Sequence, residues 1–140
     1  MILKGVAGKL EITILKRSNP DTDDYWDGNW LEAEIKIVLP GIKILYGTNL
    51  RVDDLQRFYE NVIALKYKRS KEAEFTTMEE GIYLHLDFEP NRTIRCKGKA
   101  NSGSGNSLDF NIQTELALLD VFIDDLRIAL ESYPMVGSLE

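Results

Sequence analysis

The sequence predicts an α+β protein, built as an antiparallel sheet or open β-sandwich of about six to eight strands with two packed helices. Three observations carry that reading. Apolar and polar residues alternate over most of the chain, the mark of strands with one buried face. Only two segments switch to apolar spacings of three and four residues, which place a stripe on a helix. Most neighbouring strands are joined by short loops, which suits antiparallel pairing rather than a parallel βαβ array.

The first strand is Gly8–Leu15, with Leu10, Ile12 and Ile14 on one face and Lys9, Glu11 and Thr13 on the other. The turn-rich stretch Ser18-Asn19-Pro20-Asp21-Thr22-Asp23-Asp24 follows as a loop. A second strand, Trp30–Leu39, buries Leu31, Ala33, Ile35, Ile37 and Leu39 and stops at Pro40-Gly41. Ile42–Tyr46 reads as a short returning strand. Over Val52–Leu65 the residues Val52, Leu55, Phe58, Tyr59 and Val62 form a helical stripe, with Asp53 and Asp54 at the end where the macrodipole favours anions. Strands follow at Ala73–Met78, Ile82–Phe88 and Thr93–Ala100, the last two joined by the tight turn Glu89-Pro90-Asn91-Arg92. After the connector Asn101–Asn106, a strand sets Leu108, Phe110 and Ile112 on one face. A helix over Leu116–Ser132 buries Leu119, Phe122, Ile123, Leu126, Ala129 and Leu130 before Pro134 prevents continuation.

A chain of 140 residues is long enough for one domain, here residues 1–140, with a real core. The final Leu139-Glu140 has the character of a cloning scar and carries no weight in the fold. A hydrophobic fraction of 44% excludes the low-hydrophobicity composition of disordered chains. No apolar run approaches the roughly 20 residues a membrane helix requires. The first residues lack the basic and apolar segments of a secretory signal, and the single Cys96 excludes an internal disulfide, so a cytoplasmic location is expected. The net charge of −6 and pI of about 4.9 argue against nucleic acid, which requires a basic face, and favour a soluble protein able to attract a basic protein partner. A monomer or weak homodimer is expected.

The candidate chemistry is sparse. Asp21, Asp23, Asp24, Asp27, Gly28 and Asn29 invite a calcium loop, but Tyr25 stands where an oxygen ligand is needed and a strand follows where an EF-hand has a helix. His85, the only histidine, shares a strand face with Asp87, a pairing that suits acid–base work but has no nucleophile beside it. Glu79-Glu80 reads as two carboxylates in a turn. Cys96 falls on an apolar face and reads as a buried hydrophobe. Gly103-Ser104-Gly105 lacks the helix that a phosphate loop needs. The row Arg95, Lys97 and Lys99 faces Asp87 and Asp109 on neighbouring strands, so it reads as a salt-bridged outer face. No catalytic site, cofactor or metal is therefore expected, and the chain reads as a binder. Its candidate contact residues are Asp23, Asp24, Tyr25, Trp26 and Asp27, which combine carboxylates with aromatic anchors.

The strand Gly8–Leu15, the acidic loop closing in Asp27-Gly28-Asn29-Trp30-Leu31, the Leu50–Leu65 helix with its Asp54-Leu55 step and the terminal Leu108–Leu130 strand–helix pair together resemble the WapI-like bacterial immunity proteins. That family often carries alanine where Gly28 stands, a small-for-small exchange expected to do little harm. The resemblance implies a cytoplasmic antitoxin that binds the C-terminal toxin domain of a contact-delivered protein and occludes its active site. Such toxins are often nucleases with basic clefts, so the implied partner is a basic toxin domain. No toxin-binding motif comes with the resemblance. The alternative from the residues alone is a small-ligand or carbohydrate-binding domain using the Tyr25–Trp30 loop, with Tyr25, Trp26 and Trp30 as a platform.

Overall fold

The computed structural model describes residues 1–139; Glu140, half of the terminal dipeptide, lies outside them. Eight strands form two antiparallel four-stranded sheets, each a meander in chain order. The first sheet comprises β1 (Ile2–Lys4), β2 (Lys9–Arg17), β3 (Trp30–Leu39) and β4 (Ile42–Arg51). The second comprises β5 (Glu72–Phe75), β6 (Ile82–Phe88), β7 (Ile94–Asn101) and β8 (Ser107–Thr114). Helix α2 (Val52–Lys66) links the sheets and α3 (Leu116–Ser132) closes the chain. A third helix, α1 (Tyr25–Gly28), is a single turn in the β2–β3 connection.

Alternation becomes burial as expected. Leu31, Ala33, Ile35 and Ile37 of β3 are buried, as are Leu84 and Leu86 of β6 and Ile94 and Cys96 of β7. The helical stripes turn inward as well: Leu55, Phe58 and Val62 from α2 meet Leu119, Phe122 and Leu126 from α3 in one connected apolar cluster with both sheets. Phe58 stacks on Phe75 of β5 at 4.6 Å and meets Phe122 edge-on at 6.0 Å, so three elements lock through one ring. Between β7 and β8, Gly98 lies opposite Phe110, and a Cβ there would come within 2.1 Å of the ring. The missing side chain is the seat of the phenyl group.

The two sheets meet where β1 approaches β8. Val6 N–H donates to the Gln113 carbonyl at 2.9 Å, and Thr114 Oγ1 donates to the Lys4 carbonyl at 2.6 Å. On the opposite side, Tyr46 of β4 donates its hydroxyl to the Gly81 carbonyl at 2.7 Å, and burial pushes its pKa up to about 12.

Several elements differ from the sequence expectation. Strand β1 was not expected, because three residues are too few for a readable period, yet Leu3 is completely buried. Strand β4 runs on from Tyr46 to Arg51, since the ten residues of β3 pair with it in unbroken register from Leu39–Ile42 to Trp30–Arg51. Strand β5 ends at Phe75 rather than Met78. In β2 the register shifts between Ile14 and Lys16, a bulge that leaves Leu15 exposed. No described helix is long and apolar enough to cross a membrane.

Candidate functional site

The stretch from Thr22 to Trp30 is a tightly held turn rather than a slack loop. Asp24 caps α1: its Oδ2 accepts from Trp26 N–H at 3.1 Å and Asp27 N–H at 3.0 Å. Its own N–H donates to Thr22 Oγ1 at 3.1 Å. Asn29 is fully buried, and its Nδ2 donates to the carbonyls of Tyr25 and Val136, both at 2.9 Å. Its Oδ1 accepts from Val136 N–H at 3.0 Å, so one amide ties the turn to the C-terminal segment. Arg17 braces the other side, donating to the carbonyls of Gly28 and Pro134.

Gly28 has no room for a side chain. A Cβ would stand 2.6 Å from Val136 Cγ2 and 2.9 Å from the Thr22 carbonyl oxygen. The small-for-small exchange expected to be harmless would therefore push against backbone here.

Beneath the turn lies Arg51, with 0% of its surface exposed. Its guanidinium donates to Asp53 Oδ1 at 2.8 Å, the Trp26 carbonyl at 2.7 Å and the Tyr25 carbonyl at 3.0 Å. The rings of Tyr25, Trp26 and Trp30 surround it at 5.2, 5.2 and 5.1 Å. A buried cation is tolerable only when paired and hydrogen-bonded, and here Asp53 supplies the opposite charge while each of the three guanidinium nitrogens donates one bond. The Arg51 N–H donates to Asp54 Oδ2 at 3.2 Å, which gives one half of a capping box at the start of α2. The reciprocal half is chemically closed to arginine, which has no acceptor. Burial raises the Asp54 pKa above the ordinary carboxylate value, against the lowering effect of the Arg51 and Met78 N–H groups.

Sequence reasoning did not single out Arg51. The readable signal was a charged residue between the apolar Leu50 and Val52 where a strand gives way to a helix.

What the turn presents to solvent differs from what it buries. Trp26 is 53% exposed, set edge-on to Tyr25 at 5.1 Å. Asp21, Asp23 and Asp27 are exposed, and their carboxylates make no hydrogen bond or ion pair among the described residues. Of the five candidate contact residues, Asp23, Trp26 and Asp27 thus face outward, Asp24 spends its carboxylate on the cap, and Tyr25 leans on Arg51 with its hydroxyl donated to Asp53 Oδ2 at 3.3 Å. The acidic side chains of the turn do not converge into a three-ligand cation site among the described residues.

The other candidates are placed as follows. His85 bonds to Glu72 Oε2 at 2.9 Å, whereas Asp87 is taken by Arg95 at 2.9 and 3.2 Å, so the His85–Asp87 pairing does not form. Glu72, Glu74 and His85 hold their ligand atoms within 4.8 Å of one another, the one such trio among the described residues. They could offer three donors to a divalent cation, but Lys97 is the cross-strand partner of His85 and its charge opposes one. Glu79 and Glu80 lie exposed in the β5–β6 turn. Cys96 is buried, which pushes its thiol up to about 12 and leaves it un-ionised near neutrality. Gly103 and Gly105 sit at positive φ in the exposed β7–β8 loop, followed by a strand.

A search of curated protein sequences found no match to the chain. A family model does match, over residues 1–134, and it spans both sheets, all three helices and the clamped turn. The chain belongs to the immunity protein WapI-like family.

Proposed function

We propose that this immunity protein acts without catalysis, by binding the C-terminal toxin domain of a contact-delivered bacterial toxin in the cytoplasm, and that the Asp23–Asp27 turn is its contact surface. The observation that carries the reading is the pairing of a half-exposed indole with two unengaged carboxylates, Asp23 and Asp27, on a pre-organised turn. Energetic hot spots at protein interfaces are enriched in tryptophan, with tyrosine and arginine. Because Asp24, Asn29 and Arg51 already hold the backbone, little ordering entropy is lost when a partner docks. Free carboxylates around the anchor favour a basic partner and speed its approach, in line with the net charge of −6.

A carbohydrate platform is less well supported by the same geometry. Tyr25, Trp26 and Trp30 turn toward one guanidinium instead of lying side by side as an open aromatic floor.

The test takes the C-terminal domain of any large secreted protein encoded by the neighbouring gene and titrates it with the full chain. Trp26→Ala is expected to weaken binding by about 30-fold or more, the scale of an interface hot spot. Asp23→Asn with Asp27→Asn is expected to slow association several-fold at low salt and to flatten its salt dependence. Unchanged affinity in both variants would move the interface elsewhere. No binding by the unmodified chain would overturn the antitoxin reading.

A further inference from the structure

At the other end of α2, about 20 Å from the clamped turn at 1.5 Å per residue, lies a cavity of about 710 Å³. Its apolar floor is Phe88, from the end of β6, and Leu116, which opens α3 and is 39% exposed. Lys66, Lys68, Lys71 and Arg92 stand around it. Lys66 is paired with Asp120 at 2.9 Å, but Lys68, Lys71 and Arg92 make no ion pair among the described residues. Glu89, the only acid lining the cavity, accepts from Thr93 Oγ1 at 3.1 Å and Gln113 Nε2 at 3.3 Å. Four cations against the single carboxylate of Glu89 leave the lining basic, which runs against the charge of a protein with net −6.

The backbone makes the placement more telling. Among the described residues only three non-glycine residues have positive φ, and two of them are Lys68 (58°) and Arg92 (70°). Lys68 follows the C-cap Tyr67 of α2, with its N–H on the Leu65 carbonyl at 3.0 Å, a position where glycine is the favoured residue. Arg92 closes the β6–β7 turn, with its N–H on the Glu89 carbonyl at 2.9 Å. Turn chemistry would give both positions to glycine or asparagine. Instead both carry a long cationic side chain at the rim of the same cavity, and strained positions of this kind concentrate at ligand sites.

We propose that this cavity is a binding site for a small organic anion with an apolar body, an aromatic or medium-chain carboxylate. The apolar part lies on Phe88 and Leu116, and the carboxylate takes charge-assisted hydrogen bonds from Lys68, Lys71 and Arg92. The volume falls within the range of small-ligand sites, where a few placed polar groups orient a mostly apolar contact. This site is separate from the acidic turn, and its test does not involve a toxin.

The experiment titrates the full chain with 2-naphthoate and follows backbone amides by NMR. Two controls accompany it: naphthalene-2-methanol, which lacks the charge, and acetate, which lacks the body. Saturable shifts centred on Lys68, Lys71, Phe88, Arg92 and Leu116 are expected, with a Kd at least tenfold below that of either control. Lys68→Gly combined with Arg92→Gly separates binding from structure, because relief of the left-handed strain keeps Tm at or above that of the parent while affinity falls tenfold or more. Lys68→Gln with Arg92→Gln is the second arm, neutralising the charges without altering backbone freedom, and it is expected to weaken binding to the same degree. Absence of saturable shifts, shifts centred elsewhere, equal affinity for the neutral control, or unchanged affinity in the glutamine variant would each overturn the proposal.

Discussion

The two ends of α2 use the same charges in opposite arrangements. At the N-terminal end the cation is inside: Arg51 is sealed under Tyr25, Trp26 and Trp30, and the free carboxylates of Asp23 and Asp27 are outside. At the C-terminal end the cations are outside: Lys68, Lys71 and Arg92 ring an apolar cavity and have no carboxylate partner among the described residues. Both ends follow the helix macrodipole, with Asp53 and Asp54 in the first turn and Lys66 in the last. They differ in what desolvation has been spent on. The buried guanidinium is a structural part that holds a turn in shape, whereas the exposed cations contribute little to stability and are free to bind.

Arg51→Ala breaks the first arrangement and should have the largest effect. It strands the carbonyl of Trp26, leaves that of Tyr25 with only the Asn29 amide, removes the ion pair of Asp53 and opens a cavity beneath three rings. Removing one member of a buried charged network costs about 3–5 kcal/mol, to be read from urea denaturation midpoints. Arg51→Lys keeps the charge but loses the planar fork that serves three acceptors at once, and should still cost about 2 kcal/mol. A loss below 1 kcal/mol in the alanine variant would mean that the guanidinium is not what shapes the turn. The matching change at the other end, Lys68→Ala, removes no buried partner.

Gly28→Ala tests the same end by overpacking. The added methyl meets the Thr22 carbonyl, which belongs to the turn, and Val136, which belongs to the C-terminal segment. Overpacking of this kind costs about 1–3 kcal/mol. Since Asn29 bonds to Val136, protease sensitivity should rise at the C-terminal segment before the sheets open, and limited proteolysis would show the order. Equal stability of parent and variant would show that Val136 yields freely.

The comparison also marks how far the sequence could be read. Periodic signals survive because burial itself is periodic: Leu31, Ala33, Ile35 and Ile37, or Leu119, Phe122 and Leu126, need no knowledge of their partners. The clamped turn was legible only as a list of polar and aromatic residues. Its one-turn helix is too short to show a stripe, and Arg51 becomes its organiser only through contacts 25 and 26 residues back along the chain. Strand β4 was underestimated because Gly47 and Asn49 are poor strand formers, and the length of β3 overrides them. The basic cavity was invisible for a similar reason: Lys68, Arg92 and Leu116 come from three separated elements.

The smallest effect sharpens the contrast through pH. Burial raises the Asp54 pKa, so over the window from the ordinary carboxylate value up to the folded value the folded protein binds more protons than the unfolded chain. Stability from this group is therefore fullest below the ordinary value and is lost as pH rises through the folded one. Asp54→Asn cannot titrate, so its stability relative to the parent should improve as pH goes from 4 to 7. The ion pair with Asp120 raises the Lys66 pKa instead, so that contribution is complete below the ordinary lysine value and is lost only above it. Lys66→Met should therefore show a constant difference from the parent between pH 5 and 8. Denaturation curves of both variants across these ranges would read the two ends separately: a slope for Asp54→Asn and a flat line for Lys66→Met. The reverse pattern would mean that the charge cost of burial does not sit at the N-terminal end of α2.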